Sequence, residues 1–583
     1  MTTSPFAADS LLVVDVGELT TRALLFDVVD GRYRFLAAGS AHTTLSAPYY
    51  DLSEGVRLAM DDLQEITGRV ILGSDERLII PTLASGSGVD SFAAIFSAGA
   101  PLEVVVVGLL EDLSVESASR LAATTYTRVA KTFSLNDRLK PEARIDAIMQ
   151  LRPDAILIAG GTDHGASRSV MRLAEIIGLA CRLFPEGHVP EVLYAGNQAL
   201  GEQIKAALDL PALHIAPNVR PTVENEQIPA AQVKLTEIFR RLRVRQMAGV
   251  NNLNTWAAGH LLPSATAFGR VIQFLSEYYD PTKGVLGLEV GESATTAAAS
   301  FAGKLSLGVY PELGLSHALA NLLEQTSLTE IGRWLPMDVS ADTLRDAIHN
   351  KCLLPATLPI TVEDLAIEQA LMREVIRLTL RRVGKGFPSG VKGSKDGLLP
   401  WFEPIIAAGN WLTRLPSAGQ RLLTLLDAIQ PTGVTTLVLD QNNLTASLGA
   451  AATLNPVLTV QVLESSNYLN LGTVISPVAD ARPGAPILRV RVQYENGEET
   501  AIDVKQGTLE MIRLPLGQAA QLQLQPFHRA EVGMGGAGRG GKVKVVGGTL
   551  GVVIDARGRP LALPSDPARR RELMKKWLWS LGG

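Results

Sequence analysis

The stretch LLVVDVGELTTRALLFDV (residues 11–28) decides the fold class of this chain. An apolar run leads into a short polar, glycine-containing segment, and a second apolar run follows. This order predicts a strand, a tight turn and a second strand. Such a turn can bind a metal through its carboxylate and phosphate through its backbone amides and hydroxyl groups. The polar and glycine residues of this turn are Asp15, Gly17, Glu18, Thr20 and Thr21.

A second stretch, GVLGLEVGESATTAAAS from Gly284, repeats the same arrangement. It has an apolar run, a carboxylate, a glycine and a pair of threonines in the same order. Two copies of one strand–turn–strand unit predict a duplicated, two-lobed fold with a cleft between the lobes. The residues that match the first turn are Glu289, Gly291, Thr295 and Thr296.

Composition limits the classes of protein that this chain can represent. At 583 residues it is too long for one hydrophobic core. A net charge of -5 argues against general attraction to nucleic acid or to anionic membranes. Two distant cysteines disfavour a disulfide framework, a cysteine-rich zinc site and an iron–sulfur cluster. No apolar run is long enough to span a bilayer and the start lacks a secretory signal, so we expect a cytoplasmic protein.

Strands and helices alternate along much of the chain. Buried strands such as PLEVVVVGLL and PDAILIAGG are each followed by a helical segment, which predicts mainly parallel sheets. After about residue 480, alternating residues around an Asn-Gly turn in ILRVRVQYENGEETAIDV predict a hairpin, and GTLGVVIDARGRPLAL resembles another. We therefore expect a first lobe over residues 1–275, a second over 276–465 and a β-rich domain over 480–583.

Several blocks, in this order, resemble one known family. They are DVGELTTR, LRPDAILIAGGTDHG, APNVRP, LEVGESATT, IIAAGNWLTRLP and PTGVTTLVLDQNNLTASLGAAA, which together run from about residue 10 to 465. They resemble the MutL-type accessory proteins of glutamate mutase, within the group of actin, Hsp70 and sugar-kinase folds. The order of the blocks is more specific than any one of them. The β-rich tail lies outside the resemblance.

The resemblance implies an α/β fold of the duplicated, two-lobed actin-like (ribonuclease H-like) type, with an additional C-terminal β-rich domain. It also implies an accessory role for a coenzyme B12-dependent mutase, with ATP and Mg²⁺ as cofactors and Asp15 near the metal. Gly409 and Asn410, after Ala408, would lie beside the adenosine. A further family turn corresponds to Gly160, Gly161, Thr162 and Asp163.

The chain departs from the family pattern in all three nucleotide elements. The first turn usually has small hydroxyl residues at its tip, where this chain has Glu18 and Leu19. We therefore expect an unpaired carboxylate facing the phosphate position. In the second turn the leading Asp is Glu289 and a glycine is Glu292, and the usual Gly-Gly pair near the adenosine is Gly409-Asn410. Three changes in one site predict that hydrolysis has been lost.

The tail contains two further features. GMGGAGRGGKV (residues 533–543) resembles a phosphate loop, but a strand rather than a helix is predicted after it, so we interpret it as a loop of the β-rich domain. The basic C-terminal segment is predicted to be a helix whose charges face solvent, with Trp577 and Trp579 packed on the protein. The basic, glycine-rich segment 384–397 is predicted to be a mobile loop.

Two functions remain open from the sequence. One is an accessory or scaffold protein with a degenerate nucleotide site, acting through a protein partner and not through nucleic acid or a membrane. The other is an active ATPase that reactivates a B12-dependent enzyme, with Glu18 or Glu289 taking over the positioning of metal or water. A sugar or acid kinase is disfavoured because no catalytic Asp at a substrate loop can be named.

Overall fold

The computed structural model describes residues 10–388, 390–393 and 397–582. Part of the loop predicted at 384–397, namely residues 389 and 394–396, lies outside the described residues. The described chain forms two compact units. One contains the residues up to Leu25, Ala37–Thr266 and Gly308–Pro311, and the other contains Phe26–Leu36, Ala267–Leu307 and the residues from Glu312 onward.

The first part of the chain, up to residue 263, alternates strands and helices. Its strands are β1 (Leu11–Val16), β2 (Thr20–Val29), β3 (Arg32–His42), β4 (Ser91–Phe96), β5 (Leu102–Val107), β6 (Thr127–Phe133), β7 (Ala155–Ile158), β8 (Glu191–Tyr194), β9 (Leu213–Ile215) and β10 (Leu262–Pro263). Its helices are α1 (Leu52–Thr67), α2 (Glu116–Ala122), α3 (Pro141–Leu151), α4 (Arg168–Arg182), α5 (Gly201–Leu208), α6 (Pro229–Gln246) and α7 (Val250–Trp256).

The remaining part begins with a helix and ends in a β-rich region and a last helix. Its strands are β11 (Gly284–Val290), β12 (Thr295–Phe301), β13 (Lys304–Tyr310), β14 (Phe402–Ala408), β15 (Gly433–Asp440), β16 (Tyr468–Ser476), β17 (Pro486–Tyr494), β18 (Glu499–Lys505), β19 (Leu509–Ile512), β20 (Ala519–Pro526), β21 (Gly541–Val546) and β22 (Val552–Asp555). Its helices are α8 (Ser264–Tyr278), α9 (Leu328–Gly332), α10 (Ala341–Leu353), α11 (Val362–Val383), α12 (Asn410–Thr413), α13 (Ala418–Ile429), α14 (Thr445–Ala451), α15 (Pro456–Leu463) and α16 (Pro567–Ser580).

Two sheets of the protein share one strand order. The first runs β3-β2-β1-β4-β10, with β1 parallel to β4 and β4 parallel to β10. The second contains β13-β12-β11-β14-β15, with β11 antiparallel to β12 and parallel to β14, which is parallel to β15. This is the order of the ribonuclease H-like fold, present twice. The predicted duplicated α/β fold is confirmed.

A third sheet is inserted between β4 and β10. Its five strands lie in the order β6-β5-β7-β8-β9 and all neighbouring pairs are parallel. The central strands β5 and β7 are apolar and buried except at Glu103, as expected for a sheet covered by helices on both faces. The parallel sheet that the alternating segments predicted is confirmed.

The C-terminal region is rich in strands, as predicted, but its strands divide between two sheets. The predicted hairpin is confirmed, since β17 pairs antiparallel with β18 in the four-stranded sheet β18-β17-β20-β21. The second predicted hairpin, around residues 548–563, is wrong. Its strand β22 instead pairs with β16 and β19, which extends the second actin-like sheet.

Local signals fix the ends of two helices. Helix α11 begins with a capping box, in which Thr361 and Asp364 satisfy each other's backbone amides. Helix α16 follows Asp566 and packs against α13 and β19. Trp577 is buried there, but the predicted packing of Trp579 is wrong, because that side chain is 83% exposed. None of the helices of the described residues is long and apolar enough to cross a membrane.

Candidate functional site

The first turn is held closed by its own chain. The Gly17 amide donates to the Thr20 carbonyl at 3.0 Å, and a Cβ at Gly17 would lie only 2.9 Å from that oxygen. Thr43, which follows β3, donates its hydroxyl to the Gly17 carbonyl at 2.8 Å. The buried Thr21 hydroxyl pairs with the Thr43 hydroxyl at 2.9 Å. Asp15 lies two residues before the glycine, near the end of β1.

Glu18, at the tip of this turn, has a partner in the protein. Its carboxylate accepts the Gly99 amide at 2.7 Å. Gly99 lies three residues after β4, the strand beside β1. The prediction of an unpaired carboxylate is therefore wrong. It failed because the acceptor and its donor are 81 residues apart in sequence, a separation that no local pattern reveals.

A buried arginine supports the segment that holds Glu18. The Arg243 guanidinium donates to the Ala100 carbonyl at 2.6 Å. Burial lowers the pKa of Arg243 to about 10, while the nearby charges of Asp154 and Glu18 oppose that shift. The tip of the first turn thus lies in the field of a buried cation.

The second turn has the same geometry as the first. The Gly291 amide donates to the Ala294 carbonyl at 3.1 Å, three residues on, as Gly17 does to Thr20. Glu289 therefore corresponds to Asp15, and Glu292 to Glu18. Thr295 corresponds to Thr21 and is buried like it, donating its hydroxyl to the Leu313 carbonyl at 2.8 Å.

Glu292 contacts the residues that follow β14. The Asn410 side-chain amide donates to the Glu292 carboxylate at 3.2 Å. Asn443, after β15, accepts the Gly409 amide at 2.7 Å and donates to the Asn410 side-chain oxygen at 2.9 Å. Asn443 was missed in the sequence, although QNN directly after a buried strand is a recognisable signal for polar groups at a sheet edge.

The remaining predicted residue of the second turn lies inside the sheet. Thr296 is buried in β12, directly opposite Glu289 of β11 in the antiparallel register. Glu289 is also in register with Ala408 of β14. The structure thus brings the second turn and the Gly409-Asn410 turn together at one sheet edge.

The Gly160–Asp163 turn belongs to the inserted parallel sheet, at the carboxyl end of β7. The Gly160 carbonyl accepts the Asn197 amide at 3.1 Å. One oxygen of Asp163 accepts the Gln198 amide at 3.1 Å and the Asn218 side-chain amide at 3.0 Å. Thr162 accepts the Gly165 amide through its carbonyl at 2.8 Å. The bonds from Asn197, Gln198 and Asn218 join the turn to the segments that follow β8 and β9.

Among the residues that the structure describes, no group of three or more His, Cys, Asp or Glu side chains is placed to hold a metal ion. A magnesium ion bound in a nucleotide complex keeps several waters and needs only one or two protein carboxylates, with phosphates completing its shell. The assignment of Asp15 to such an ion therefore stays a prediction.

The duplicated sheet order, with a matching turn in each copy, defines the actin-like fold class. A family model described as MutL protein matches residues 11–467. The chain therefore belongs to the MutL protein family.

One curated relative is Protein MutL of Clostridium tetanomorphum, 23% identical over 376 residues, which span 60% of this chain and 78% of that protein. Solved structures that resemble the chain include a nucleotide-free acetone carboxylase, with 11% identity, a TM-score of 0.32 and coverage of 86% of this chain and 81% of that one. An exopolyphosphatase from Cytophaga hutchinsonii has 8% identity, a TM-score of 0.17 and coverage of 68% and 66%. TM-scores this far below 0.5 say nothing about function.

Proposed function

We propose that this protein is a MutL-family accessory or scaffold protein whose nucleotide site is degenerate, and that it assists a coenzyme B12-dependent mutase by binding it. One observation carries the proposal. A glutamate lies at the tip of each of the two equivalent turns. Each glutamate is hydrogen-bonded to a group that follows the neighbouring parallel strand, β4 in the first sheet and β14 in the second. These pairs are Glu18 with Gly99 and Glu292 with Asn410.

Fixed carboxylates at these positions oppose the binding of phosphate. Two like charges about 4 Å apart repel by about 1 to 4 kcal/mol, depending on the local dielectric constant. A serine at a turn tip could donate a hydrogen bond to a phosphate oxygen, whereas an ionised glutamate can only accept one. The Gly99 amide and the Asn410 side-chain amide are donors already engaged by the two carboxylates.

The buried threonine hydroxyls of the two turns are also bonded to the protein. The Thr21 and Thr295 hydroxyls bond to Thr43 and to the Leu313 carbonyl, respectively. We therefore propose that the residues present do not fit ATP with Mg²⁺. Under this proposal, the function that remains is the binding of a protein partner. We assign residues 1–275 and 276–465 to its two lobes and 480–583 to an added β-rich domain.

Calorimetric titration with ATP and ADP in the presence of magnesium tests the loss of nucleotide binding. We expect no saturable binding up to millimolar nucleotide for the wild-type protein. Saturable binding that Asp15→Ala abolishes, with ATP turnover, would instead establish the active ATPase. The Asp15→Ala protein must retain the wild-type far-UV circular dichroism for that comparison to count.

Size-exclusion chromatography with a purified coenzyme B12-dependent mutase tests the partner. We expect co-elution of the two proteins without nucleotide, unchanged by added ATP. Separate elution at micromolar concentrations of both proteins would contradict the assignment of the partner.

A further inference from the structure

A cavity of about 450 Å³ opens beside the Glu292–Asn410 contact, entirely within the second unit. Trp411, Leu415 and Pro416 line one part of it, directly after the Gly409-Asn410 turn. The chain between α10 and α11 lines another part. A cavity of this size, mainly apolar with a few charged groups, has the character of a binding site.

The chain beside the cavity exposes an unusual set of large apolar side chains. Ile360 is 93% exposed, and four neighbours within ten residues are also exposed. We call this set the apolar rim. Exposed apolar patches of this kind mark interaction sites on protein surfaces. The residues of the apolar rim are Leu353, Leu354, Leu358, Ile360 and Val362.

Two of the charged side chains around the cavity form an ion pair, and a third does not. Lys351 forms an ion pair with Glu368 at 2.7 Å, and its ammonium group lies 4.4 Å from the centre of the Trp411 ring. Burial raises the pKa of Glu368, and Lys351 and the charge of Arg414 oppose that shift. Arg414 also lines the cavity and is exposed, but it takes part in none of the ion pairs found among the described residues. Arg414 is thus the cation at this site that remains available to a partner.

We propose that the cavity and the apolar rim form a docking site for an apolar segment of a partner protein that carries a carboxylate. An apolar side chain of the partner fills the cavity against Trp411 and Leu415. The neighbouring partner surface covers the apolar rim, and the carboxylate pairs with Arg414. This inference rests on the proposed function only in requiring a protein partner.

A small molecule would cover less of this apolar surface than a protein segment would. It would fill the cavity, but the side chains of Ile360 and Val362 would remain in water. A protein segment removes both from water, and burial of a large aliphatic side chain is worth about 1.5 to 3 kcal/mol.

Two carboxylates also line the cavity, but Glu292 is hydrogen-bonded to Asn410 and Glu368 is paired with Lys351. The exposed Arg414 has no ion pair of its own among the described residues and favours an acidic segment over a basic one.

Fluorescence anisotropy with labelled synthetic peptides tests the proposal. The probe is Leu-Ile-Leu-Glu-Leu-amide with a fluorophore on its N-terminal amine, and the matched probe has Lys in place of Glu. We expect saturable binding of the acidic probe, weakened at least about tenfold by Ile360→Asp or by Arg414→Glu. Leu516→Asp, which also changes an exposed apolar residue but lies in the C-terminal region, should bind like the wild type.

Comparing the Glu probe and the Lys probe on the wild type and on Arg414→Glu is the most discriminating measurement. Arg414→Glu should prefer the Lys probe, reversing the preference of the wild-type protein. Equal binding by all variants, or no binding of either probe, would overturn the proposal. Displacement of the probe by adenosine would assign the cavity to a small molecule, and self-association abolished by Ile360→Asp would assign the rim to a second copy. The peptide-binding results do not depend on the ATP titration, so this proposal and the proposed function can fail separately.

Discussion

At the scale of single residues, the proposed loss of nucleotide binding rests on the two glutamates at the turn tips. Each is satisfied by a donor from the strand end beside it, Glu18 by Gly99 and Glu292 by Asn410. The carboxylates therefore stabilise the turns in the absence of a ligand. A phosphate would have to displace a hydrogen bond as well as overcome repulsion.

Replacement of Glu18 should reveal this stabilising role. Glu18→Ala leaves the Gly99 amide without its acceptor, and we expect the free energy of unfolding of the first unit to fall by about 1 to 3 kcal/mol. Glu18→Gln keeps an acceptor and should cost less. Urea unfolding followed by circular dichroism measures both variants. Equal losses in the two would show that the hydrogen bond to Gly99 does not matter.

At the scale of secondary-structure elements, polar side chains join the ends of neighbouring strands. Asn443 after β15 holds both Gly409 and Asn410 after β14. Gly409 has a φ of 110° and is packed against the Val290 carbonyl, so this turn requires glycine. The geometry that presents Asn410 to Glu292 thus depends on contacts between elements.

Asn443→Ala tests that dependence. The change leaves the Gly409 amide and the Asn410 oxygen without these partners, so we expect a loss of about 1 to 3 kcal/mol in the stability of the second unit. Thr361→Ala, which removes the cap of α11, serves as a matched control with an expected loss of about 1 kcal/mol. The distinguishing measurement is hydrogen exchange of residues 405–415, which should accelerate only in Asn443→Ala. Acceleration in both variants would contradict the assigned role.

At the scale of the whole molecule, a buried ion network ties the C-terminal segment into the second unit. Arg557 contacts Asp555 at 2.8 Å and Asp427 at 2.6 Å, and Arg373 contacts Asp427 at 2.8 Å. Arg559 contacts Asp555 at 2.6 Å. Burial raises the pKa of Asp555, but the charges and hydrogen bonds of Arg557 and Arg559 outweigh it and hold that pKa well below its usual range.

This network predicts the acid sensitivity of the second unit. Because the pKa of Asp555 is depressed in the folded protein, its stabilising contribution is present above its unfolded pKa of about 3.9 and is lost as the pH falls below that value. Asp555→Asn should remove this part of the pH dependence and lower stability at pH 7 by about 3 to 5 kcal/mol, since it leaves buried arginines underpaired. Urea midpoints between pH 2.5 and 7 provide the measurement. An unchanged pH profile in the variant would refute the role of Asp555.

The sequence predicted features that local patterns encode. The duplicated turn, the parallel inserted sheet and the Asn-Gly hairpin all follow from apolar periodicity and turn residues within about 20 positions. Contacts between distant segments were missed. The Gly99 partner of Glu18, the role of Asn443 and the pairing of β22 with β16 each join residues far apart in the chain, and the exposure of Trp579 depends on which helix face meets the protein.

The central claim is that the two tip glutamates exclude nucleotide phosphate from an actin-like site, and one titration tests it most directly. Magnesium-ATP is titrated by calorimetry into the wild-type protein and into the double variant Glu18→Ser/Glu292→Gly, which restores the residue types usual in the resembling family. The account predicts no saturable binding to the wild type and measurable binding to the double variant, a gain of at least about tenfold in affinity for removing two repulsive charges. Tight binding to the wild type, unchanged or weakened in the double variant, would contradict it.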